Sequence, residues 1–64
     1  MARFYHVYLE DGSDYDAVSD VCDSIPGADI WPSEPFVRFV GSGEELEEFK
    51  RTLAHFGFKI SKVV

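Results

Sequence analysis

The stretch "FVRFVGSGEELEEFKRTLAHFG" at 36–57 contains a strand, a turn, a helix and a stop signal. "FVRFV" is aromatic and β-branched with period-two alternation, so Val37 and Phe39 belong to one face of a strand and Phe36, Arg38 and Val40 to the other. "SGEE" at 42–45 is an S-x-x-E capping box, in which Ser42 and Glu45 satisfy each other's free backbone N–H groups at the start of a helix. Leu46, Phe49, Leu53 and Phe56 then recur at helical spacing, and Gly57 ends the run. A strand and a helix joined by so short a turn form one unit, and the rest of the chain must complete it.

The first half repeats the alternation of elements. "RFYHVYL" at 3–9 reads as a strand with Tyr5, Val7 and Leu9 on one face and Phe4, His6 and Tyr8 on the other. "EDGS" turns the chain, and Ser13 is the expected N-cap, with Asp16 in an approximate capping box. Ala17, Val18, Val21, Cys22 and Ile25 follow at helical spacing, and "PG" at 26–27 stops the helix. A short strand near 28–32, "ADIWP", is restricted by Pro32 and Pro35 to an edge position, and "FKISKVV" closes the chain as a last strand. The order is βαββαβ, which predicts an α+β, ferredoxin-like fold over residues 1–64: a four-stranded antiparallel sheet, first and third strands central, with both helices on one face. At 64 residues the chain encloses one core and forms one domain.

Composition narrows the function. Six Phe, three Tyr and one Trp supply the large apolar side chains a small core needs, so a folded domain is expected despite the charge. Cys22 is the only cysteine, which excludes an intrachain disulfide, a Cys-based zinc site and a CxxC redox motif, and fits a cytoplasmic location. Its place on the apolar helix face predicts a buried, inert thiol. No apolar run approaches the roughly 20 residues of a membrane span, and "MARFYHVYLE" lacks the apolar core of a signal peptide. No nucleophile elbow, phosphate loop or helical H-E-x-x-H occurs, "DGSDYD" lacks the ligand order of an EF-hand loop, and His6 and His55 fall on different elements. The expectation is a non-enzymatic protein without cofactor or metal.

Charge is the distinctive signal. Twelve Asp and Glu oppose six Lys and Arg, and no Lys or Arg stands between Arg3 and Arg38, where Glu10, Asp11, Asp14, Asp16, Asp20, Asp23, Asp29 and Glu34 all lie. On a helix, Asp16, Asp20 and Asp23 form a single i, i+4, i+7 stripe opposite the apolar face. Like charges at that spacing repel by a few tenths of a kcal/mol per pair, and only Asp14 and Asp16 stand near enough to the helix N-terminus to benefit from its dipole. A solvated face is the plain explanation, but such faces normally mix signs or use Glu. Glu44, Glu45, Glu47 and Glu48 are easier to explain: they stand in the first turn of the second helix, where Glu45 completes the capping box and Glu47 is placed to pair with Arg51.

The acids "DGSDYDAVSDVCD" and "GEELEE", in a small chain without catalytic motifs, resemble the small acidic inhibitors that phages encode against nucleic-acid-binding defence systems, the anti-CRISPR and anti-restriction DNA mimics. That resemblance implies a host bacterial cytoplasm and a basic nucleic-acid-binding partner, such as a CRISPR effector, whose channel is occupied in place of DNA or RNA. It implies no membrane association and no nucleic-acid binding by the chain itself, since a formal charge of −6 opposes it. The residues expected to meet the partner are Glu10, Asp11, Asp14, Asp16, Asp20, Asp23, Glu44, Glu45 and Glu48, with Trp31 as an apolar anchor; the alternative for Trp31 is a lid on the core. The alternative is a regulatory or ligand-binding ferredoxin-like module that forms a homodimer through Phe4, Tyr8 and Phe36 on the open sheet face.

Overall fold

The computed structural model describes residues 2–30 and 36–64. Its elements are β1 (Arg3–Leu9), a 3₁₀ turn (Gly12–Asp14), α1 (Tyr15–Cys22), β2 (Ala28–Ile30), β3 (Val37–Gly41), α2 (Gly43–His55) and β4 (Ile60–Val63). The fold is α+β, with a four-stranded sheet in the order β2-β3-β1-β4 and every neighbouring pair antiparallel. The first and third strands occupy the centre. β2 stands at an edge, although Trp31 and Pro32, expected at its end, lie outside the described residues.

Alternation decides which side of the sheet is covered. Val7 and Leu9 of β1 and Val37 and Phe39 of β3 are buried in one core with Val18 and Cys22 of α1 and Leu46, Phe49 and Leu53 of α2. Both helices therefore cover the same face, and Phe39 stacks on Phe49 with ring centroids 4.6 Å apart. The expected inward faces of β1 and β3 are those observed. α1 ends at Cys22, short of the expected stop at Pro26, so Ile25 packs on the core from beyond the helix. Two other helical positions also differ from expectation. Ala17 is exposed, and Phe56 is 58% exposed because α2 ends at His55 and leaves Phe56 as its C-cap.

The place expected for Phe56 is taken by Phe58, which packs on the core. Its N–H donates to the Leu53 carbonyl at 3.0 Å while that of Gly57 donates to Ala54 at 3.0 Å, a Schellman ending that needs the positive φ of 89° at Gly57. The start of α2 is the predicted capping box: Glu45 N–H donates to Ser42 Oγ at 3.2 Å and Ser42 N–H to Glu45 Oε1 at 2.8 Å. Glu47 pairs with Lys50 at 3.0 Å rather than with Arg51, one residue earlier on the same face of the helix.

The start of α1 differs from expectation. Asp11, not Ser13, is the cap, and its Oδ1 accepts from Ser13 N–H at 2.9 Å and Ser13 Oγ at 2.7 Å. The capped segment is a 3₁₀ turn that runs into α1, whose own N-cap, Asp14, makes no side-chain cap bond, so the capping side chain stands two residues earlier than expected. Tyr15 ties this segment to the sheet: its hydroxyl accepts from Leu9 N–H at 2.9 Å beside the irregularity in the β1–β4 register. At the other end of α1, Gly27 has φ 85°, its carbonyl accepts from Val40 N–H at 2.9 Å, and a Cβ there would stand 2.5 Å from the Val40 carbonyl oxygen. Only glycine fits so close an approach with that backbone.

Candidate functional site

α1 has eight residues and one buried side, formed by Val18 and Cys22. At about 100° per residue, Asp16, Asp20 and Asp23 project within about 60° of the opposite direction, and all three are exposed. Asp23 is the C-cap but keeps helical backbone angles (φ −59°, ψ −26°), so the stripe continues past the last helical residue. Successive positions of the row rise roughly 4.5–6 Å along the axis. The stripe anticipated from the sequence is therefore formed, in full and facing solvent.

Its electrostatic setting is unfavourable for the helix. Asp16 stands in the first turn, where the dipole stabilises an anion, but Asp20 and Asp23 stand at the carbonyl end, and the last turn carries no basic residue. The carbonyls there are satisfied locally: Asp23 N–H donates to Ser19 at 3.2 Å, and Ser24 donates to Val21 through N–H at 3.2 Å and Oγ at 2.9 Å. Hydrogen bonding at this end therefore involves neither carboxylate of Asp20 or Asp23 among the bonds described. Burial, followed by the charges of Asp23 and Asp29, pushes the Cys22 thiol up to about 11, so the one cysteine is protonated at neutral pH.

The remaining acids divide by location. Glu10, Asp11 and Asp14 line a shallow depression with Gly12, Gly57 and Lys59 between the two helix ends. Asp11 is committed there to its cap, and the side-chain and then the backbone hydrogen bond from Ser13 hold its carboxyl below the ordinary value of 3.8. Glu45 and Glu48 line a second cleft of ≈ 240 Å³ with Ile25, Pro26, Phe39, Phe49 and Thr52. Glu45 is committed to the capping box, where the backbone and then the side chain of Ser42 hold its carboxyl below the ordinary 4.5. Glu44 is exposed in the first turn of α2. The structure thus separates the expected acids into two capping residues, the half-buried Asp14 and a set of exposed carboxylates, of which Asp16, Asp20 and Asp23 alone form a row. Trp31, the expected anchor, lies outside the described residues.

The uncovered side of the sheet is a second surface. Phe4 is 73% exposed, while His6, Tyr8, Phe36, Arg38 and Val40 are half-buried. Phe36 lies between the rings of His6 and Tyr8, at 4.4 and 5.5 Å, and Lys62 Nζ stands 4.8 Å above the Tyr8 ring. Asp29 is opposite Arg38, Lys62 opposite Tyr8, and Val64 exchanges backbone hydrogen bonds with His6 at 2.9 Å each way. Alternation along "ADI" could have placed Asp29 here. Lys62 and Val64 were hidden, because the register shift between Tyr8 and Leu9 turns both Ile60 and Val63 toward the core and breaks the period of two.

Among the described residues, no group of three or more His, Cys, Asp or Glu is placed to hold a metal ion, and no helix is long and apolar enough to cross a membrane. No protein-family model matches the chain, and comparisons with curated proteins and with solved structures give no match.

Proposed function

We propose that this chain is a non-enzymatic, acidic inhibitor that binds the basic nucleic-acid-binding surface of another protein, of the anti-CRISPR or anti-restriction kind, and blocks it by DNA mimicry. One observation carries the reading: Asp16, Asp20 and Asp23 form an exposed row on the side of α1 away from the buried Val18 and Cys22. Two of the three stand at the helix end where an anion is unfavourable. Acids that cap, such as Asp11 and Glu45, have a folding role. The carboxylates of Asp20 and Asp23 make no such bond among those described, and a row of carboxylates at about 4.5–6 Å axial spacing suits a groove lined with Lys and Arg for phosphates. Asp14, Glu10, Glu44 and Glu48 extend the negative field around it, and Asp11 and Glu45 add charge while they cap. Trp31 is retained in the proposal as the apolar anchor, because exposed charges alone contribute little affinity.

The scaffold proposed for this role is the ferredoxin-like one, supported by the β2-β3-β1-β4 order with central β1 and β3 and by the shared core of both helices. The site of action is a host bacterial cytoplasm, and the expected complex forms fast and weakens with salt. The test uses the immobilised chain in bacterial lysate. Wild type should retain nucleic-acid-binding proteins that are released by salt and by competing duplex DNA, while the triple Asp16→Lys, Asp20→Lys, Asp23→Lys variant should not. Equal retention by both would refute the mimicry, as would direct binding of nucleic acid by the wild-type chain in a gel shift at low salt.

A further inference from the structure

The open sheet face is chemically unlike the rest of the molecule. In a chain with twelve Asp and Glu, Asp29 is the only acidic side chain among the described residues that the strand registers place on it, beside Arg38, Lys62 and His6. Its remaining positions are Phe4, Tyr8, Phe36, Val40 and Val64, with Phe4 and Val64 73% and 67% exposed. A chain of net charge −6 repels its own copies through every acid-rich surface, so this is the face by which two copies can approach.

We propose that the chain forms a homodimer by stacking two such faces about a two-fold axis parallel to the strands. The sheet order selects that axis. Rotation about it lays β2 of one copy over β4 of the other and β3 over β1. Phe4 and Val40, which stand opposite each other in the β1–β3 register, then each cover the other residue in the second copy, as do Phe36 and Tyr8. Asp29 on one edge comes over the other copy's β4, one same-face position from Lys62, about 6.8 Å along the strand and within reach of a lysine side chain. The pair forms twice. A two-fold axis across the strands would instead lay β2 on β2 and β4 on β4, which keeps Asp29 and Lys62 on opposite edges of the pair.

Four strands about 4.8 Å apart and five residues long give a face of roughly 19 by 17 Å on each copy. With side-chain relief the pair buries on the order of 1,000 Å², the lower bound of a specific interface, so the dimer is expected to be concentration-dependent. Each α1 stripe points away from the interface, and this inference is independent of the proposed inhibitory role.

Sedimentation equilibrium of the full chain over a concentration series tests it. Wild type should approach twice the 7.3 kDa chain mass. Phe4→Asp, at an exposed position, should raise the concentration needed by at least about tenfold. Asp29→Lys and Lys62→Asp should each weaken the dimer, and the combined exchange should restore it. Within one copy these residues lie on opposite edges, roughly 14 Å apart, so rescue can come only through a second copy. A chain that stays monomeric at all concentrations, a dimer indifferent to Phe4→Asp, an exchange that fails to restore association, or a monomer that binds a single-stranded oligonucleotide through this face would each overturn the proposal.

Discussion

α1 and α2 cover the same sheet face, yet they use acidic residues in opposite ways. In α2 the charges serve the fold: Glu44 and Glu45 stand at the N-terminus, Ser42 and Glu45 cap each other, Glu47 pairs with Lys50, and His55 stands in the last turn. In α1 only the approach follows that logic, with Asp11 capping the 3₁₀ turn that leads into it and Asp16 in its first turn. Its last turn and C-cap carry Asp20 and Asp23 and no cation. The shorter helix, with fewer buried residues, is the one that bears the electrostatic cost. A local cost without a local benefit is what the proposed inhibitory role would account for.

The largest expected effect separates the two helix exits. Gly27→Ala forces a Cβ against the Val40 carbonyl at positive φ, whereas Gly57→Ala meets positive φ in open space. We expect a loss of more than about 3 kcal/mol for the first and about 1 kcal/mol for the second, read by urea unfolding. Equal losses would mean that the α1 exit is no more tightly held than that of α2.

Next comes the cap of α2. Ser42→Ala should cost about 1 kcal/mol, and a measured loss near zero would show the capping box to be marginal. The acids of the two caps also set a pH dependence. The carboxyls of Glu45 and Asp11 are held below their ordinary 4.5 and 3.8, so their contribution is fully present above those values and is lost as pH falls through the lowered ones. Glu45→Gln should therefore lose less stability than wild type between neutral and acid pH. An unchanged acid slope would remove Glu45 from the balance.

Smallest of all are the charge changes at the helix ends. Asp20→Lys and Asp23→Lys should each stabilise the fold by roughly 0.3–1 kcal/mol, while His55→Asp at the matching end of α2 should destabilise it by a similar amount. Thermal denaturation at low and high salt reads both, and the difference should shrink with salt. If either Asp→Lys change destabilises the chain, these carboxylates have a folding role and the contrast between the helices fails. Cys22 gives an independent check: a buried thiol pushed to about 11 should react with a thiol reagent only as fast as α1 opens. Immediate labelling of the native chain would show that α1 is not packed as described.

Much of the fold was legible because its signals are short-range. The capping box at Ser42 and Glu45, the alternation of β1 and β3, and the opposition of the Asp stripe to Val18 and Cys22 depend only on residues within one or two turns of each other. The misplacements have equally definite causes. Ser13 and Asp11 are both good caps, and the choice between them depends on the 3₁₀ turn that links Asp11 to Tyr15, whose hydroxyl reaches across to Leu9. Phe56 and Phe58 both fit the apolar pattern, and the Schellman ending at Gly57 turns the second toward the core.

Local chemistry along the chain was thus enough to settle the α+β class, the element order and the acidic row on α1. Periodicity and capping act over a few residues and need no distant partner. What folding added is the relation between distant segments. The sheet order that separates Asp29 from Lys62, the register shift that turns Ile60 and Val63 to the same side, and the approach of Gly27 to Val40 are pairings across many residues. No local pattern encodes such pairings, because their geometry is set by how whole elements pack rather than by any one element's own preference.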